Sequence, residues 1–362
     1  MEKNIENGTE NIAENEVKQM ITHPVEFNFN GKSGEFFKIW IVNILLSILT
    51  LGIYSAWAKV RTNRYFQANT EIDNHSFSYL ATPLQILKGR IIAVILFGSY
   101  YLVSMISPIA GMVIMGCLLL AMPWLICASL RFKMRMTSYR NVRFDFTGQY
   151  GEAFLNFLVF PVISVFTLYL LFPYALKRMD QFIVNHTRYG DRPFKAELCT
   201  TTYYMTSIVT AVMGIAIFGL FALVIGMSAT DMQAEAAEGM QWMTILIFAA
   251  YVLVFSFIQA FYITQIRNHI FASTELEDIA TFKSNFTFSS LAVIQLTNML
   301  ALLCTLGLAF PWVKIRMMNY TVNRTEVHMN DNKEQVFDII SENDSAISEE
   351  VADVFDVDVA LV

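Results

Sequence analysis

The sequence predicts an all-α polytopic integral membrane protein, and three observations predict it. Hydrophobic residues fill 55% of the 362 positions and charged residues 15%, with a mean hydropathy of +0.46, whereas a soluble domain carries about a quarter charged residues. Seven stretches, residues 37–57, 91–107, 109–130, 154–176, 204–227, 243–266 and 291–313, approach the roughly 20 apolar residues needed to cross a hydrocarbon core about 30 Å thick. None of them holds a Lys, Arg, Asp or Glu in its central turns. Buried membrane charges usually mark a proton or ion path, so their absence argues against an ion-coupled pump.

Charge sorts the chain into a body and two tails. The formal net charge is −6, yet residues 1–26 hold 2 basic against 6 acidic side chains and residues 327–362 hold 1 against 10. The body is therefore basic, with 22 against 15, or +7. This pattern excludes a soluble acidic enzyme, and no basic patch with interleaved aromatics suggests nucleic acid. The partner implied is the lipid bilayer. A homo-oligomer is compatible with it, and the partner of the acidic tails is unknown. The polar start lacks the basic and early apolar regions of a cleavable signal. The acidic end, apart from a short helix near 333–340, is expected to be disordered.

Each apolar segment has its own boundary chemistry. The Ser107–Pro108 corner separates the second and third, where proline starts a helix without losing a hydrogen bond, so the two form a tight helical hairpin. An acidic loop with Asp231, Glu235 and Glu238 joins the fifth and sixth. Residues 27–77 align without gaps to residues 144–194, beginning Phe27-x-Phe29-x-Gly31 and Phe144-x-Phe146-x-Gly148. These alternating aromatics predict a short strand and turn ahead of a helix, with Glu35 and Glu152 in its first turn. Thr50-Leu51-Gly52, Trp57, Lys59, Arg61, Tyr65 and Thr70 recur as Thr305-Leu306-Gly307, Trp312, Lys314, Arg316, Tyr320 and Thr325. The resulting plan is two and a half repeats: a polar acidic tail over 1–26, repeat 1 over 27–143, repeat 2 over 144–281, a partial repeat 3 over 282–326 and a tail over 327–362.

Topology follows from positive charge, which stays cytoplasmic in short loops. The loops after segments one, three and four are basic (Lys59, Arg61 and Arg64 begin the first), and the two hairpin corners carry no basic residue. If all seven segments span, the copies are inverted, as in many transporters. If segments one, four and seven are re-entrant, every basic loop is cytoplasmic. The charge rule favours the second arrangement, although these segments are long enough to cross.

The repeated basic and aromatic residues are the candidate site. Arg61 with Tyr65, Arg178 with Phe182, and Arg316 with Tyr320 stand four apart, on one helix face. They fit an interfacial anchor; the alternative is contact with an anion or lipid headgroup. A weaker echo, Arg135 with Tyr139 and Arg267 with Phe271, closes both hairpins. Asn43 and Asn298 occupy equivalent positions, where the middle copy has Phe160, and with Thr50 and Thr305 they are candidates for a polar path or for helix-to-helix hydrogen bonds. No catalytic residue, metal site or cofactor is expected. The four cysteines form no C-x-x-C pair, the five histidines fall outside the apolar runs, and methionines 105, 112, 115 and 122 read as packing residues.

The pattern Phe-x-Phe-x-Gly, Gly-Glu-x-Phe, Leu49-Thr50-Leu51-Gly52-Ile53-Tyr54, Trp57-Ala58-Lys59-Val60-Arg61 and Arg64-Tyr65 resembles the YjgN-like family of bacterial inner-membrane proteins over residues 27–326. The middle copy is looser, with Tyr169 for the glycine and Leu176 for the lysine. The resemblance implies a bacterial inner-membrane location and no established activity. Two functions suit such a chain: a channel or facilitator for a small or amphipathic solute, or a lipid-interacting or scaffolding membrane protein. An enzyme is not expected.

Overall fold

A computed structural model describes residues 22–231, 236–277 and 279–330. It overturns the all-α expectation: ten short strands close an antiparallel barrel, and the helices stand on it as five hairpins. In chain order these are β1 (Thr22–Phe29), α1 (Ser33–Leu49), α2 (Ser55–Ala68), β2 (Thr70–Ile72), β3 (His75–Tyr79), α3 (Pro83–Ile106), α4 (Pro108–Arg135), β4 (Thr137–Tyr139) and β5 (Val142–Phe146). There follow α5 (Tyr150–Phe166, with a π turn at Leu155–Val159), α6 (Phe172–Asn185), β6 (Thr187–Tyr189), β7 (Arg192–Ala196), α7 (Thr200–Asp231), α8 (Ala236–Ala272), β8 (Thr274–Leu276), β9 (Ala280–Ser284), α9 (Phe288–Cys304), α10 (Phe310–Asn323) and β10 (Thr325–Asn330). Tight turns join β2 to β3, β4 to β5 and β6 to β7, β8 pairs with β9, and a pair of helices lies in every other connection.

Neighbouring strands pair in chain order, and β1 closes the ring by pairing with both β2 and β10. Closure leaves no unpaired edge. The turns between strands put Asp73, Asn74, Arg140 and Asn141 at positive φ, the backbone that two-residue hairpins require.

Alternation along the strands sends at least one apolar side chain of each into the barrel. Phe27, Phe77, Phe144, Phe194 and Phe282 stand directly opposite Ile72, Tyr139, Tyr189, Leu276 and Val327. These ten residues belong to one packed cluster. The rings of Phe144 and Phe194 lie 6.4 Å apart, and those of Phe194 and Phe282 5.8 Å. Tyr139 and Tyr189 satisfy their hydroxyls by donating to the carbonyls of Ile72 and Tyr139, at 2.8 and 2.9 Å. The barrel is filled by side chains.

Above it the helices form a second ring, since α2 packs on α3, α4 on α5, α6 on α7, α8 on α9 and α10 on α1. The hairpins alternate short, long, short, long, short. In hairpin two, α3 and α4 have 24 and 28 residues, or about 36 and 42 Å, and both qualify as candidate membrane spans, as does Thr200–Gly219 of α7 in hairpin four. Hairpins one, three and five pair helices of 17 residues or fewer. Segments one, four and seven therefore double back on themselves. The barrel, with the turns at Asn74 and Gly190, lies at one end of all five hairpins.

Strand β1 begins within the stretch read as an amino-terminal tail, and β10 runs four residues into the one read as a carboxyl-terminal tail. Residues 1–21 and 331–362, the expected disorder there, the helix near 333–340 and Glu235 lie outside the described residues.

Candidate functional site

The three short hairpins carry every candidate residue of the sequence analysis except the weaker Arg135/Tyr139 and Arg267/Phe271 echo. Their apices hold Leu51, Leu168 and Leu306 at φ of 50–51°, and these side chains are 95%, 85% and 94% exposed. A leucine in the left-handed region is uncommon; here three equivalent ones are displayed on bare tips.

The amide N–H groups of the apices are paired within the turns themselves. In hairpin one the Gly52 N–H donates to the Ser47 carbonyl at 2.7 Å. The Thr50 hydroxyl donates to the Leu46 carbonyl at 2.7 Å and accepts from the Tyr54 N–H at 2.9 Å. Hairpin five repeats this with Gly307 to Leu302 at 2.8 Å, and with Thr305 bonded to Ala301 and Ala309 at 2.6 and 2.9 Å. Gly52 and Gly307 sit at φ +91° and +89°, a conformation that only glycine adopts freely. In hairpin three Tyr169 takes that place, and its N–H reaches the Ser164 carbonyl at 2.7 Å. Thr50 and Thr305, candidates for a polar path or for helix-to-helix hydrogen bonds, have their hydroxyls bonded within the turns. Turns whose N–H groups are all satisfied internally lose fewer hydrogen bonds on entering a hydrocarbon layer than open loops do.

One layer toward the barrel lie the asparagines and arginines. Asn43 is buried, and its Nδ2 donates across the hairpin to the Ala58 carbonyl and Thr62 Oγ1 at 3.4 and 3.5 Å. Asn298 accepts from Arg316 Nη1 at 3.1 Å, which also donates to Thr297 Oγ1 at 2.6 Å while the guanidinium lies 5.0 Å from the Trp312 ring. Arg178 sits 6.0 Å from the Phe160 ring, and Arg61 is exposed. Arg178 and Arg316 are each engaged within their own hairpin and do not converge on a shared point.

The aromatic partners stand where helices meet barrel. The Tyr65 hydroxyl accepts from the Lys32 N–H at 2.8 Å and donates to the Lys32 carbonyl at 3.0 Å, clasping the start of α1. Tyr320 clasps Thr287 before α9 at 3.2 Å in both directions. Phe182 is buried against Phe146 and His186, and there His186 reaches Glu152 at 3.0 Å instead. Gly31 and Gly148 admit these rings, since a Cβ at either would come within 2.4 Å of Phe29 or Phe146. Tyr139 of the weaker echo is a strand residue inside the barrel and has no helical neighbour relation to Arg135.

Asn156 escaped the sequence reading, and so did the capping role of a set of threonines, of which Thr70 and Thr325 were noticed only as repeat residues. Asn156, in the π turn of α5, is 2% exposed and supplies hairpin three with a buried asparagine one turn nearer the barrel; it was visible as an amide inside an apolar run. Thr70, Thr137, Thr187, Thr274 and Thr325 each open a strand and donate to the carbonyl four residues back, at 2.7–3.1 Å. Their signal is Thr followed by an aromatic seven residues later, in Thr70/Phe77, Thr137/Phe144 and Thr187/Phe194.

Asp180 of α6 also went unnoticed, and it accepts from the Tyr203 hydroxyl of α7 at 2.7 Å. Burial raises its pKa, against the lowering effect of that hydrogen bond. A raised folded pKa means that Asp180 favours folding most below its unfolded value near 4 and loses that contribution as pH rises through the folded value. Asp180→Asn, which keeps the acceptor, is therefore expected to gain stability relative to the parent as pH rises from about 4 to 7. Melting curves at both pH values check this, and identical pH dependence in the two proteins would refute it.

Comparison with known proteins places this architecture. Residues 24–354 match the family described as "Bacterial protein of unknown function (DUF898)". The chain is similar to Inner membrane protein YjgN of Escherichia coli O157:H7, 25% identical over 85% of this chain and 90% of that one, and to its namesake in Escherichia coli K12, 23% identical over the same shares. Against Inner membrane protein YjgN of Salmonella typhimurium it is 33% identical over 40% of this chain, spanning about a third (36%) of that relative's length. No solved structure matches. With a match over most of its length, the chain belongs to the DUF898, YjgN-like family, and it is a bacterial inner-membrane protein.

Proposed function

We infer that the protein is a non-enzymatic, lipid-interacting scaffold of the inner membrane, with its barrel in the cytoplasm and its short hairpins ending inside the nearer leaflet. The observation that carries this reading is the trio of exposed leucine apices on turns whose N–H groups are paired internally. From Lys59 to Leu51 the chain takes eight residues and from Arg316 to Leu306 ten, or about 12–15 Å along a helix. That is about half of a 30 Å hydrocarbon core, if the basic side chains sit at the headgroups as such belts do. Hairpins two and four would cross and fix the depth, while hairpins one, three and five would occupy one leaflet only. The packed barrel lumen supports this reading over a channel along the barrel axis.

Single cysteines at Asn74 and Gly190, in a cysteine-free background, are expected to react from outside only after permeabilisation, with Ser107 at the corner of hairpin two reactive in intact cells. A nitroxide at Leu51 or Leu306 should report mid-bilayer depth, and purified protein in liposomes should add no solute permeability. Opposite faces for Asn74 and Gly190, an aqueous signal at the apices, or solute flux through the reconstituted protein would each overturn the proposal.

A further inference from the structure

Hairpins one and five are the neighbours in the ring that are both short, so at the seam between α1 and α10 no long helix stands beside the site. A groove of about 520 Å³ opens there between α1, α2 and α10. Trp40, Ile44, Ile48 and Phe310 form its apolar wall, with the Trp40 and Phe310 rings stacked at 6.0 Å. Asn43, Lys59, Thr62 and Asn63 form its polar edge.

Two groups on that edge are incomplete. Asn43 is 5% exposed, lines the groove, and its Oδ1 has no hydrogen-bond donor among the described residues. A buried acceptor left in this state is destabilising unless a ligand supplies the donor. Lys59 is exposed and makes no ion pair among the described residues. A cation lacking an anion and an acceptor lacking a donor, beside an apolar wall of Trp40, Ile44, Ile48 and Phe310, have a common complement.

We propose that this groove binds one anionic phospholipid. Its phosphate pairs with Lys59, a headgroup hydroxyl or ammonium donates to Asn43 Oδ1, and one acyl chain lies along Ile44, Ile48 and Phe310. The proposal rests on the leaflet-depth reading above, because a lipid reaches the groove only if hairpin one is embedded.

Trp40 is the built-in reporter. In a variant with Trp57, Trp124, Trp242 and Trp312 replaced by Phe, reconstituted into vesicles, acyl-brominated phosphatidylglycerol should quench Trp40 more than brominated phosphatidylcholine at equal mole fraction. Lys59→Gln should lower that preference about fivefold, the effect of one basic side chain at an anionic surface, whereas Lys59→Arg should keep it. Added inorganic phosphate should not relieve the quenching, because the acyl chain supplies part of the binding. Native mass spectrometry of the otherwise unaltered protein gives a second measure: one phosphatidylglycerol retained, and lost in Lys59→Gln. Equal quenching by the two lipids, relief by phosphate, or an unchanged preference in Lys59→Gln would overturn the lipid site while leaving the embedded hairpin intact. Quenching by neither lipid would instead overturn the leaflet-depth reading, and the site with it.

Discussion

Tyr189→Ala is expected to destabilise the protein by about 3–5 kcal/mol, the range for truncating a large aromatic in a packed core. Tyr189 is 2% exposed. Its ring lies 5.1 Å from Phe144 and 6.3 Å from Tyr139, and its hydroxyl donates to the Tyr139 carbonyl at 2.9 Å. The ring is a central filler of the barrel, and removing it leaves a void that short, paired strands cannot close by sliding without losing register. Tyr189→Phe separates the two contributions: it keeps the ring, deletes one donor, and should cost about 0.5–1.5 kcal/mol. Denaturation in detergent, followed by near-ultraviolet circular dichroism, measures both. If Tyr189→Ala melted with the parent protein, the lumen would not be packed and the case against an axial path would fall.

Why the barrel escaped the sequence is a matter of length and distance. The strands of hairpins one and three were half visible, because Phe27-x-Phe29 and Phe144-x-Phe146 alternate and run into glycines. Their partners β2 and β6 are three residues each, too short for a period of two to register. The pairings are also remote in sequence: Phe77 meets Tyr139 across all of hairpin two, and Thr22 meets Asn330 across nearly the whole described chain. Residues 22–26 and 327–330 looked like tail because only one side of each strand is apolar and the neighbouring sequence is acidic. The apolar runs, by contrast, announced themselves, since hydrocarbon surroundings demand continuous apolar sequence whatever the helices pack against. Composition showed how long each run was. Whether it crossed or turned back was decided by Thr50-Leu51-Gly52 and its relatives, whose role depends on hydrogen bonds that close only in three dimensions.

The site was legible in position, while its chemistry stayed open between the readings the sequence allowed. The matched residues do occupy matched places: Asn43 and Asn298 on first helices, Tyr65 and Tyr320 at the hairpin bases, Thr50 and Thr305 at the tips. Their polar atoms turn inward, to the Lys32 and Thr287 peptides and to the Leu46 and Ala301 carbonyls. An aromatic four residues after an arginine has the same spacing whether its hydroxyl faces a phosphate or a backbone amide. The middle copy shows the ambiguity most clearly. Phe182 has no hydroxyl to offer a headgroup, and the partner that Tyr65 finds in Lys32 is replaced there by contact between His186 and Glu152.

Leu306→Asp is expected to cost about 2.5–3.5 kcal/mol in a bilayer, the penalty for an aspartate near the centre of the hydrocarbon core. The sign of this effect is what makes it informative. Leu306 is 94% exposed at φ 51°, and aspartate tolerates that backbone better than leucine does. Were the apex in water, the substitution would be neutral within about 0.5 kcal/mol or mildly stabilising. Only an apolar medium around the tip turns it strongly unfavourable. Leu51→Asp in hairpin one should behave alike, and because the two apices belong to separate hairpins the double variant should lose close to the sum. Unfolding in bicelles measures the loss, and Leu306→Asn, neutral and equally tolerant of the turn, should recover much of it. A neutral result for Leu306→Asp in bicelles would put the tip in water. The short hairpins would then be cytoplasmic ornaments of the barrel, and the leaflet they are proposed to occupy would be empty of them.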